Sequence, residues 1–189
     1  MSAPELERAK ERIRIAFADV VHPDAGEIAC DCVSKTCEGL AMEAEFKPFT
    51  WQNVPAEIVD RYAQSLPIFT DLGYQYFLPA YMMRALDNPD GEVWEAVILG
   101  LPGGGAAAAF LPPMPVQAEQ SIDNLQKVAQ LLEEHEEERL RDFTTAQIEA
   151  MIEFVEYLIA NPTERTEDFI EDLFTRAESM DEFLRQQTD

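Results

Sequence analysis

The stretch LPGGGAAAAFLPPMP, residues 101–115, sets the strongest limit on what this chain can fold into. Three consecutive glycines and four prolines cannot sustain a helix, and they cannot supply the hydrogen-bond ladder of a central strand. The segment is expected to be a flexible loop. Whatever folds must be assembled from the sequence on either side of it, and both sides carry helical periodicity.

On the N-terminal side, Ser2 and Glu5 have capping-box spacing, with Pro4 in the first turn. Leu6, Ile13, Phe17 and Val20 then predict an amphipathic helix from residue 3 to about 20, with Arg8, Lys10, Arg12 and Arg14 on its outer face. Residues 22–50 read as irregular, opening on the turn HPDAG. Val54, Ile58, Tyr62 and Leu66 predict a helix over 51–66, stopped by Pro67. The aromatic-rich segment that follows predicts a buried helix over 70–86, capped by Thr70 and kinked near Pro79; a strand entering a helix at Pro79 is the alternative. NPDG is a turn, and VWEAVILGL suits a short strand or a short helix.

Beyond the glycines, helices are expected at about 117–140, 145–160 and 164–187. Thr144 with Gln147 forms a second capping box, Asn161 and Pro162 end the middle helix, and Thr163 can cap the last. The apolar side of the last helix is read as Phe169, Ile170, Leu173, Phe174, Met180, Phe183 and Leu184. The expected fold is therefore mostly α: a single helical domain over residues 1–189 with a Gly/Pro-rich loop in the middle and at most one or two short strands.

Charge narrows the partners. Thirty-seven acidic residues against fourteen basic ones give −23, a surface that repels phosphate backbones and anionic lipid. Nucleic acid and membrane are not expected as ligands. No stretch approaches the roughly 18 apolar residues of a membrane helix, and the N-terminus has charges where a signal peptide carries its apolar core, so a cytoplasmic location is the expectation.

Few residues suggest chemistry. All three cysteines lie in CDCVSKTC, residues 30–37. Cys30, Cys32 and Cys37 with His22 would make a Cys3His metal set, but the spacing is not that of a zinc ribbon or knuckle and a fourth cysteine is lacking. The favoured reading is a loop containing thiols, with no cofactor. Replacing all three by serine is expected to shift the melting temperature by no more than a few degrees; stoichiometric zinc and collapse of the triple variant would contradict it. His135 sits in EEHEEE, where adjacent helical residues diverge, and the Glu-x-x-His pairing of di-iron bundles fails because residue 132 is leucine. The glycine run has neither the Lys-Ser/Thr of a P-loop nor dinucleotide spacing, and nucleophile elbows and His-Glu-x-x-His helices are absent.

Three stretches together resemble a bacterial domain family of unknown function: the helix from Trp51, SLPIFTDLGYQYFLPAYMMRAL, and FTTAQIEAMIEFVEYL. The resemblance implies one composite domain continuing across the glycine break, and brings no activity or site residue with it.

The functional expectation is a non-catalytic cytoplasmic interaction protein, immunity- or antitoxin-like, that presents an acidic surface to a basic protein partner. Glu133, Glu134, Glu136, Glu137 and Glu138 are the densest carboxylates and the expected partner-binding residues. The alternative is a metal-binding protein or metal-dependent enzyme built on Cys30, Cys32 and Cys37.

Overall fold

Thr70 and Thr144 show how the sequence starts its two central helices. Each has extended backbone and turns its hydroxyl onto an orphan amide, Gly73 N–H at 3.0 Å and Gln147 N–H at 3.3 Å. Gln147 reaches back to Thr144 N–H at 2.8 Å, completing the capping box. The computed structural model describes residues 3–29, 38–102, 139–164 and 166–187.

The described residues form α1 (Ala3–Ala16), α2 (Glu38–Phe46), α3 (Ala56–Arg61), α4 (Asp71–Asp87), α5 (Val93–Gly100), α6 (Thr145–Ala160) and α7 (Ile170–Gln186), with 3-10 turns at Trp51–Asn53, Ala63–Ile68 and Glu167–Phe169. The fold is mostly α. Among the described residues there is no strand, and β-type pairing is limited to an isolated antiparallel bridge between Ala29 and Phe69.

The core is built around α4. Its sequence DLGYQYFLPAYMMRALD is apolar nearly all round, as a helix covered on several sides must be. It is flanked by α1, α3, α5 and the two 3-10 turns of residues 51–68. Phe46, Phe69, Phe77 and Tyr81 interlock at centroid separations of 5.0–6.3 Å, mixing edge-on and stacked pairs. Tyr81 donates to the Tyr62 carbonyl at 2.9 Å, and burial pushes its hydroxyl pKa well above the ordinary range. Pro79 stands inside the helix, which therefore runs as one element through it. α1 packs on α6, and α6 on α7.

Several expectations are corrected. Residues 51–66 do not form one helix: Pro55 has no N–H to give and sits extended before α3, while Pro67 lies inside the closing 3-10 turn instead of beyond it. The stretch 22–50 is not wholly irregular, because EGLAMEAEF forms α2 and buries Met42 and Phe46, four residues apart. VWEAVILG is helical. α1 ends at Ala16, and a turn carries the chain on to Val20. Lys10, read as outward, is buried; Phe174, read as buried, is 49% exposed, and Arg176 takes the core position at 0%.

Leu101 and Pro102 open the Gly/Pro segment, and both are buried, with Leu101 N–H bonded to the Val97 carbonyl at 2.8 Å. The rest of that segment, residues 117–138 of the helix expected at about 117–140, and the Ser2 cap lie outside the described residues. So do Cys30, Cys32, Cys37 and the carboxylates Glu133 to Glu138.

Candidate functional site: an acidic, apolar-floored groove

Ile15, Val21 and Leu72 are 63%, 84% and 52% exposed; single exposed apolar side chains are ordinary, but three at one groove form a patch. They come from three different places: the end of α1, the segment after it, and the first turn of α4. The fold brings them to one groove of about 650 Å³. Asp19, Asp24 and Glu27 edge it, and Gln75, Thr144 and Gln147 supply its amide and hydroxyl lining. Neither lysine nor arginine lines it among the described residues.

The segment bearing Val21 is fixed by its neighbour. His22 is half-buried, with Nδ1 2.6 Å from the Pro23 carbonyl oxygen and Nε2 3.2 Å from that of Phe49. A doubly protonated ring donates to both oxygens and a neutral one to a single oxygen. The imidazole also meets Tyr76 edge-on, with centroids 4.7 Å apart. Both nitrogens thus face carbonyl oxygens, and a metal at His22 would have to displace one contact. The turn that follows needs Gly26, whose φ of 89° suits glycine, and its N–H donates to Glu43 Oε1 at 2.5 Å. Gln75, in the groove lining, donates to the Asp142 carbonyl and so ties α4 to the segment before α6. Among the described residues no group of three or more His, Cys, Asp or Glu side chains could hold a metal ion.

Several basic side chains are paired within the chain. Lys10 Nζ lies 2.5 Å from Asp87, and Arg12 Nη2 lies 2.8 Å from Glu153 and 3.9 Å from Glu149. The hydrogen bond and charge of Glu153 raise the Arg12 pKa further. Arg84 grips Asp60 through two bonds of 2.7 and 2.6 Å, and Arg139 lies 4.0 Å over the Tyr74 ring. Of the basic run of α1, Arg12 meets the acidic side of α6, Lys10 meets Asp87 at the end of α4, and Arg14 pairs with Glu11 in its own helix. Exposed pairs of this kind add at most about 1 kcal/mol each, but they leave fewer cations to face a partner.

The model of a family of unknown function, DUF6714, matches residues 7–176. The chain belongs to this family. The match runs across the glycine segment, in keeping with one composite domain, and it attaches no activity. No curated protein and no solved structure matches the chain.

The sequence candidates and this groove barely overlap. His22 lines it, while the cysteines and the Glu133–Glu138 run lie outside the described residues. Ile15, Val21 and Leu72 escaped the sequence reading because helical periodicity within a segment does not reveal which side chains of separate segments meet at a surface.

Proposed function

We propose that this member of the family is a non-catalytic interaction protein that binds a basic protein partner, in the manner of a small immunity or antitoxin protein, in the cytoplasm. The observation that carries the reading is the gathering of Ile15, Val21 and Leu72 at one groove edged by Asp19, Asp24 and Glu27. Contiguous exposed apolar side chains with a polar rim are a common mark of protein interfaces. The carboxylates select for a cationic partner and speed its approach. The net charge of −23 argues against nucleic acid and anionic membrane as direct ligands. Among the described residues no helix is long and apolar enough to cross a membrane.

The test is kinetic. Association with a co-purifying partner should slow as salt rises from low to physiological strength, with dissociation little changed. Leu72→Asp should weaken binding by about tenfold or more, as expected of an apolar anchor, without loss of helical signal. Glutamine at Glu133, Glu134, Glu136, Glu137 and Glu138 should weaken it through the association rate alone. A neutral or acidic partner held equally well at both salt levels would remove the electrostatic basis of the reading.

A further inference from the structure

A second groove, of about 470 Å³, follows the seam between α6 and α7. Its floor is Ile152 and Ile159 from α6 and Phe174 from α7, with Phe174 49% exposed. Ile152 and Ile159 are partly buried against the core, and Phe174 is the exposed ring beside them. Phe154, Val155, Leu158, Leu173 and Met180 fill the buried side of the same two helices. Glu156 stands between the isoleucines, and Glu178 and Asp181 edge the α7 side. No basic side chain lines this groove among the described residues, although Asp181 bonds to the nearby Arg185.

We infer that this seam docks an amphipathic basic helix of the partner. The inference rests on the reading of the protein as a receptor for a basic partner, and adds a second surface and the form of what it receives. The groove has room for about two turns of helix. Ile152 to Ile159, and Phe174 to Asp181, each span seven residues, about 10 Å at 1.5 Å per residue. A partner helix with apolar anchors at i, i+4 and i+7 covers the same distance and can lie in the groove of a helix pair. Lysines or arginines beside those anchors would then meet Glu156 on one wall and Glu178 on the other. An extended peptide has less to bind: strand addition needs a sheet edge, and the described residues form no sheet.

The experiment selects binders from a displayed library of 15-residue, helix-favouring peptides on the folded full-length protein at low salt. Enriched peptides should carry apolar residues at i, i+4 and i+7 flanked by Lys or Arg. Their affinity should fall about tenfold or more with Phe174→Asp, hold with Leu72→Asp, and weaken on adding salt. Phe174 is half-exposed, so the Asp variant should fold, which circular dichroism would verify; Ile159→Asp provides a second reading of the same groove. Enrichment of neutral or acidic peptides, or of none, overturns the inference. Loss with Leu72→Asp but not Phe174→Asp also overturns it, while leaving the proposed function standing on the His22 groove. A concentration-dependent dimer abolished by Phe174→Asp would assign the seam to a second copy of the chain, and overturn it likewise.

Discussion

Arg176→Ala should lower the unfolding free energy by about 2–4 kcal/mol, mostly from truncating a fully buried side chain and stripping a buried carbonyl of its donor, since the partner carboxylate of Asp172 is 28% exposed. For a domain whose whole stability is about 5–15 kcal/mol, that is a loss measurable by denaturant titration and a large part of the margin at the low end of that range. Arg176 is 0% exposed. Its Nη1 donates to the Leu101 carbonyl, and Nε and Nη2 lie 3.3 and 3.4 Å from Asp172 Oδ2. Alanine would leave a void, an unsatisfied carbonyl and a carboxylate without its cation. The Leu101 contact also matters topologically. Packing runs from α7 to α6, α1, α4 and α5 in turn. Arg176 to Leu101 and the edge-on Trp94–Phe169 pair, 5.3 Å apart, bring the ends of that series together. Arg176→Met separates the causes, since it refills most of the volume and removes only the polar contacts. Its cost should be smaller, about 1–3 kcal/mol. If the alanine variant melts with the wild-type protein, the guanidinium does not hold the two ends together.

Arg176 also shows what the sequence made legible. Leu173, Arg176, Met180 and Phe183 recur at spacings of three and four, so position 176 lies on the buried register and Phe174 does not. Chemistry misleads where geometry is right: the sequence reading puts the aromatic Phe174 on the buried stripe and leaves Arg176 off it. Lys10 repeats the case on α1, three residues before Ile13 and seven before Phe17, both fully buried. Its ammonium reaches Asp87 while its stem packs inward. Helix starts were readable for a different reason. Thr70 and Thr144 satisfy orphan amides within three residues, and interactions that local are written in the sequence itself. The His22 groove was not, because Ile15, Val21 and Leu72 become neighbours only after α1, the following segment and α4 have packed.

Gly73→Ala gives opposite answers at these two levels. Gly73 is the third residue of α4, its φ is not in the left-handed region, and helix propensity alone favours alanine by about 1 kcal/mol. Tertiary structure opposes it. A Cβ at Gly73 would lie 1.9 Å from the Ile28 carbonyl oxygen and 2.8 Å from its carbon. That backbone has little room to retreat. The Ile28 oxygen accepts from Thr70 N–H at 3.1 Å, the Glu27 carbonyl accepts from the Thr70 hydroxyl, and Ala29 pairs with Phe69. Relieving the clash would disturb the contacts that hold residues 27–29 against the start of α4. The same movement would shift the segment carrying Val21 and His22 at the groove. The expected result is a net loss of about 3 kcal/mol, the upper end for overpacking, and a fall in melting temperature of roughly 6–12 °C for a chain of this length. Gly100→Ala is the matched control. Its Cβ would meet a terminal methyl of the buried Leu66, at 2.7 Å, and a side-chain tip gives way more readily than backbone, so its cost should be smaller, about 1 kcal/mol. Both variants gain in helix propensity, so thermal unfolding of the pair isolates the backbone clash. A Gly73→Ala protein as stable as Gly100→Ala would mean that the close approach of Ile28 to α4 does not constrain the fold.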